Sequence, residues 1–267
     1  GSFDSALLTD WAAFAFAASD PGIAKTNLRR YLLTASPALS SVTDYERRAM
    51  ALMVLGINPY SDTPTNYIAP ITASFDGTQI GDASLDNDDI FALFPLLHAG
   101  YSASDDIIQK TAAFIVSRQQ ASGAWDSSVD MTAAAIQALA LVPSLPNVSA
   151  ALTKAENYLR SQQQFNGGFG NSFSTSWALQ AIAALNQSTL NWAPSGYNPN
   201  DYLASLQQND GGLEPISSDA QTRVWATEYA IPASLGKTWS SLLQSFSKPT
   251  STTESGGGTV LGTSTSI

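Results

Sequence analysis

Apolar residues recur along most of the chain at spacings of three and four, and no stretch alternates with the period of two that a strand requires. The windows come in two kinds. One is one-sided, as over 148–162 and 198–206, where polar residues fill the opposite face. The other is Ala-rich and apolar nearly all round, as over 130–140, 174–185 and 220–234, which suits a helix buried on two sides. The two kinds alternate. Further pairs run over 4–18 with 22–34, 43–55 with 65–74, and 87–98 with 103–118, and a short last element over 238–245 completes the series. The pattern predicts twelve helices in six hairpins, with Pro70 and Pro232 kinking or ending their helices.

The connections repeat as well. Gln119-Gln120-Ala121-Ser122-Gly123-Ala124-Trp125 returns 44 residues later as Gln163-Gln164-Phe165-Asn166-Gly167-Gly168-Phe169. It returns again, 44 residues on, as Gln207-Gln208-Asn209-Asp210-Gly211-Gly212-Leu213, and 74–81 is a degenerate relative. Glycine supplies a positive φ at a sharp corner, and the aromatic plugs the gap between hairpins. Six stacked hairpins whose apolar helices face inward close most economically into an all-α, α6/α6 toroid, with an open superhelix as the alternative.

The Gln-x-x-x-Gly-Gly-aromatic element, followed by a helix opening Thr/Ser-x-x-Ala, resembles the repeat of squalene and oxidosqualene cyclases and of protein prenyltransferase β subunits. The resemblance covers residues 5–247. It implies the terpenoid-cyclase-like toroid, a fold that also serves cobalamin carriers and complement thioester domains. Fold alone does not choose among these activities.

Composition narrows the choice. The 267 residues include no cysteine and one histidine, His98, inside the apolar run Phe94-Pro95-Leu96-Leu97. The Asp, Cys and His zinc site of the prenyltransferases and the thioester cysteine therefore cannot be built, and neither metal nor cofactor is expected. Asp105-Asp106 and Asp88-Asp89 do not extend to the Asp-Asp-x-x-Asp of diphosphate ionisation. Twelve basic against 22 acidic side chains give a formal charge of −10, which argues against nucleic acid and anionic membrane surfaces as partners. No apolar run is long enough to cross a bilayer, and no signal peptide is evident.

Within the resemblance, class II cyclases remain. Asp86-Asn87-Asp88-Asp89 matches their Asp-x-Asp-Asp acid motif at the start of an inner helix, and Asp88 aligns with Asp130 and more loosely with Glu46. By that resemblance Asp88 would protonate an alkene or epoxide, with Asp86 and Asp89 supporting it. Crowded carboxylates keep one proton. The competing reading is that these residues cap a helix N-terminus. Asp76, Asp82, Asp86 and Asp88 form no spacing that fits a Ca²⁺ loop.

A second recurrence is Trp11-Ala12, Trp177-Ala178 and Trp225-Ala226. With Glu46, Asp88, Asp89, Asp130, Arg223 and Glu228 these tryptophans would surround one mouth of the ring. Such an aromatic and acidic rim suits a small apolar or amphiphilic ligand, a glycan or a peptide. Alternatively the tryptophans fill the wide end of a tapered core. The expectation is a binding module, with a class II cyclase or isomerase as the alternative and an α6/α6 glycoside-active enzyme behind both.

Only 13% of residues are charged while Ser, Thr, Asn and Gln abound, an economy typical of exported proteins. Gly1-Ser2 reads as a tag remnant, 3–247 as the toroid, and the Ser/Thr/Gly-rich 248–267 as a linker or stalk to a neighbouring domain or anchor. The chain is thus expected to be a piece of a surface or extracellular protein.

Overall fold

A computed structural model describes residues 2–249. Its helices are α1 (Ala6–Ser19), α2 (Ile23–Thr34), α3 (Val42–Val54), α4 (Ile68–Ala73), α5 (Asn87–His98), α6 (Asp106–Arg118), α7 (Val129–Leu139), α8 (Val148–Gln162), α9 (Ser172–Ala184), α10 (Pro199–Leu206), α11 (Ala220–Ser234) and α12 (Trp239–Leu242). Among the described residues there is no β-strand, only two isolated bridges, Phe75 to Ile80 and Trp125 to Ser128. Helices α1, α3, α5, α7, α9 and α11 each pack on the next, and α11 packs back on α1, so the ring closes. This is an α/α toroid, and the open superhelix is excluded.

Short polar side chains start the inner helices. Ser5, Ser128, Asn171 and Asp219 each accept an amide of the first turn, and Ser41 with Asp44 forms a capping box on α3. The internal prolines break nothing. Pro232 and Pro95 lie near the C-terminal ends of α11 and α5, and Pro70 lies in the first turn of α4. A first-turn proline gives up an amide that has no intrahelical partner anyway.

The repeated turn has one geometry in all three copies. Gln120, Gln164 and Gln208 each donate their amide to the carbonyl of Ala124, Gly168 and Gly212 at 2.9 Å, and accept the amide of Gly123, Gly167 and Gly211 at 2.9 Å. Those glycines hold φ of 93°, 86° and 86°. Two residues further on, Trp125, Phe169 or Leu213 donates its amide to Thr132, Thr175 or Thr227 on the following inner helix. A Cβ on Gly123 would collide with the carbonyl of Lys154 on α8, and one on Gly167 with that of Asn198. On Gly211 it would meet nothing. Gly123→Ala and Gly167→Ala are therefore expected to cost about 3 kcal/mol or more, and Gly211→Ala only the ~1–2 kcal/mol of a left-handed alanine, as urea unfolding would measure.

Among the described residues five hairpins are complete, but the sixth is not. Instead of backing α11 on the outside, residues 237–248 cross beneath the ring, over the C-terminal ends of the inner helices. The carbonyl of Lys237 accepts Gln180 Nε2, and the amide of Trp239 donates to Gln137 Oε1 at 3.1 Å. His98 meets Ser240 and Ser245 through its two ring nitrogens at 2.8 and 3.1 Å, and the Gln244 amide donates to Met53 O. The Phe246 amide donates to His98 O at 2.7 Å. The predicted outer helix over 238–245 is thus a strap, with only four residues of it helical. Lys248, assigned by composition to the linker, pairs with Asp105 at 3.0 Å and lies over the Tyr101 ring at 3.8 Å. Residues 250–267, the rest of the expected linker, and Gly1 lie outside the described residues.

Candidate functional site

The centre of the ring is filled by aromatic side chains in a continuous column. Trp239 enters from the strap, with ring centroids 4.9 Å from Trp177, 5.3 Å from Phe91, 5.4 Å from Phe94 and 5.5 Å from Trp11. Above it Trp11 and Trp177 flank Tyr229 at 5.0 and 5.5 Å. Tyr229 in turn meets Phe173 and Trp225 at 6.0 Å each. Trp11 and Trp177 lie in the second turns of α1 and α9 and are buried in the column; Trp225 is partly exposed at its open end. Of the three Trp-Ala pairs, then, two serve the core and one reaches the rim.

Asp130 belongs to the same end, partly exposed at the start of α7, with the Ser174 hydroxyl beside it. Burial raises its carboxyl above the usual aspartate range. Around Tyr229 two buried polar atoms, Asp130 Oδ1 and Trp177 Nε1, have no partner among the described residues, and Trp225 Nε1 lies by the Tyr229 hydroxyl without closing a good hydrogen bond. Unpaired buried donors and acceptors are uncommon in folded proteins.

The acidic motif does other work. Asp88 Oδ1 accepts from Thr43 Oγ1 at 2.5 Å and from Asn87 Nδ2, while Oδ2 accepts the Asp82 amide at 3.0 Å. Asp89 Oδ1 accepts the Ile80 amide at 2.9 Å. Both carboxyls thus hold the loop between α4 and α5, the degenerate copy of the repeated turn. Asp86 stands at the N-cap position of α5 yet makes no cap; its carboxylate pairs with Arg118 Nε at 2.7 Å. Among the described residues none of the principal cavities is lined by Asp86, Asp88 or Asp89, and none by Asp130, Trp177, Trp225 or Tyr229. Asp76 and Asp82 are taken up by local amides and hydroxyls, and the described residues contain no cluster of three or more metal-ligating side chains.

The remaining rim candidates sit elsewhere. Glu46 is wholly buried in the seam between α3 and α5, with neither oxygen partnered among the described residues. Burial first, then Asp88 and Asp89, lifts its carboxyl well above the usual range; burial also pushes Asp89 up to about 7. Glu228 lies in the seam between α11 and α1, away from the mouth. It is 5% exposed, both oxygens are unpartnered among the described residues, and burial pushes it up to about 9. Arg223 grips Asp210 through both carboxylate oxygens at 2.8 Å on the outer wall. The proximity of Glu46 and Glu228 to inner-helix starts is real, but each points into a helix seam.

Sequence reasoning passed over Tyr229, Phe91 and Trp239, and also Asp10. Asp10 is wholly buried between Arg47 Nε at 3.3 Å and Arg48 Nε at 3.0 Å, with Arg47 also bound to Asp44 at 2.8 Å. Burial, opposed by the two arginines, leaves Asp10 at about 6. The only sequence signal for this cluster is the Arg47-Arg48 pair directly before the apolar run Ala49–Val54. His98 does stand beside Ser240, as a hydrolase would need, but its other nitrogen faces Ser245 and no carboxylate, so the ring secures the strap.

No family model and no curated protein matches the sequence. Among solved structures the fold is similar to haptocorrin, in its crystal structure in complex with Cbi, with a TM-score of 0.54 at 18% identity. That match covers 89% of this chain and 64% of the haptocorrin chain, so this chain spans less than two thirds of its structural neighbour. The neighbour shares the helical toroid, and at this identity the likeness concerns the fold alone.

Proposed function

We propose that this toroid is a binding module, displayed outside the cell, whose ligand is a small amphiphilic molecule bearing both a flat apolar face and hydrogen-bonding groups. The observation that carries this reading is a cluster of buried polar atoms just inside the open end of the aromatic column. Asp130 Oδ1 and Trp177 Nε1 find no partner among the described residues and Trp225 Nε1 lies by the Tyr229 hydroxyl, so a ligand reaches all three by displacing the partly exposed rings of Phe173 and Trp225. Such a set takes a ring by stacking and fixes it by two acceptors and a donor. A corrinoid such as the Cbi bound by haptocorrin has that character, as do many glycans. No helix of the described residues is long and apolar enough to cross a membrane, which accords with display on a stalk.

The test is a panel of corrinoids, oligosaccharides and short peptides, read by thermal shift and tryptophan fluorescence. A ligand of the proposed class should quench fluorescence saturably, and Trp225→Ala and Asp130→Asn should each weaken it tenfold or more, about 1.4 kcal/mol. Binding that ignores both variants would overturn the placement at this end; a blank panel would remove support for the reading.

The cyclase alternative, a relative of the squalene-type enzymes, draws on the raised carboxyls of Glu46 and Asp89. It would require turnover of squalene or a shorter polyprenyl substrate that Asp88→Asn abolishes.

A further inference from the structure

We propose that the outer face of α11 is a docking site for an amphipathic helix of another polypeptide, which takes the place of a sixth outer helix that the described residues do not supply. This goes beyond the mouth and does not depend on it: the face lies on the outer wall.

Three independent comparisons within the chain mark the place as vacant. First, α10 and α11 leave between them a groove of about 470 Å³ lined by Leu203, Leu213, Ile231 and Leu235. A second hollow of about 520 Å³, lined by Phe3, Phe16 and Val224 and edged by Asp210, Arg223 and Glu228, meets it at Gly211, Thr227 and Ile231. Together they span the outer face of α11 from α10 to α1, and Leu235 is 53% exposed there. Second, the side-chain amide that begins each repeated turn ties two hairpins in the first copies. Gln119 Nε2 donates to Gly123 O and to Ala151 O of α8, both at 2.9 Å. Gln163 Nε2 donates to Gly167 O and to Trp192 O ahead of α10. Among the described residues Gln207 Nε2 reaches only Gly211 O, at 3.0 Å, and its side chain is exposed where the other two are half-buried. Third, Gly123 and Gly167 lie against the backbone of the next outer unit, whereas Gly211 meets nothing among the described residues.

The two filled copies also say what fits. Each occupant is polypeptide, offers a backbone carbonyl to the glutamine, and comes close enough to the glycine to forbid a Cβ. In the first copy it is α8, whose buried stripe is Val148, Ala151, Ala155 and Leu159 and whose charges are Lys154, Glu156 and Arg160. The groove continues that interface by one register. A net basic helix suits a chain of charge −10.

The chain's own segment 145–163, made as a labelled peptide, serves as the probe against the full protein in fluorescence anisotropy. One-to-one saturable binding is expected, at least tenfold weaker to the double variant Ile231→Glu, Leu235→Glu, both positions being partly exposed. Hydrogen exchange should slow across 203–213 and 227–235. The proposal is overturned by any of four results: no saturation below about 1 mM; equal affinity for the double variant, or protection elsewhere; tenfold tighter binding once 250–267 are removed, which would make the tail the occupant; or a dimer of the free protein that the double variant abolishes, which would make a second copy the occupant. Trp225→Ala should leave this binding unchanged, which separates its failure from that of the mouth.

Discussion

Trp239→Ala is expected to lower the unfolding free energy by about 4 kcal/mol, near the upper end for a single core side chain. The indole is 1% exposed and has four aromatic neighbours with ring centroids within 5.5 Å. Edge-to-face pairs such as that with Trp177, at 89°, add about 0.5–1.5 kcal/mol each beyond the area buried. The surroundings cannot collapse into the space, because Trp11, Phe91, Phe94 and Trp177 are anchored on three different inner helices. The strap itself should stay, since the amide of residue 239 still donates to Gln137 and His98 still holds Ser240 and Ser245. For a domain of this size the melting temperature should fall by roughly 8–16 °C. The enclosed hollow has the shape of an indole, so millimolar indole should restore part of the loss in the variant and none in the parent. A loss under about 1 kcal/mol in urea unfolding, or no response to indole, would contradict a closed lumen. Trp225→Ala, at the partly exposed end, should cost less than half as much.

The ring was legible because its turns are chemically demanding. A positive φ, an amide-bearing side chain and a bulky plug recur at fixed spacing, and the helix between them can only face inward or outward. The strap was not legible. Trp239, Leu242, Leu243 and Phe246 read as one face of a short helix whether it runs along the wall or beneath the ring. What decides is the volume left inside six inner helices lined by alanine, which is a property of the closed ring. The acidic residues illustrate a second limit. Asp88 and Asp89 have the spacing of an acid motif, yet the amides that engage them, at 82 and 80, belong to the preceding loop. An inner helix also has three buried directions, the lumen and two seams. Periodicity shows that Glu46 and Glu228 are inside without showing which direction each takes.

That placement has a consequence for stability that runs against the usual trend with pH. Glu228 rises from its ordinary value of 4.5 to about 9, and Asp89 from 3.8 to about 7, because burial penalises the charged form. The folded protein therefore holds these protons through a window in which the unfolded chain has released them. Stability rises with pH only where the unfolded state binds more protons; here the folded state does, so the slope is negative. The contribution is intact below about pH 4.5 and is lost as pH climbs towards 7 for Asp89 and towards 9 for Glu228. Asp10, raised to about 6, adds in the same direction, and Glu46, raised well above its ordinary value, does too. Asp44, lowered to about 2 by Arg47 and the amides of Ser40 and Ser41 against the opposing effect of burial, acts oppositely, but only below pH 4. The optimum should therefore fall near pH 4–5, with a decline of several kcal/mol by pH 8. Glu228→Gln keeps the shape and removes the titration. At about 1.4 kcal/mol per pH unit it should stabilise the protein at pH 8 by on the order of 4 kcal/mol, and change little at pH 5. Urea unfolding of both proteins at the two pH values checks this. A parent equally stable at pH 5 and 8, or a variant that gains nothing at pH 8, would mean that Glu228 reaches solvent when it ionises, and that the seam between α1 and α11 opens there.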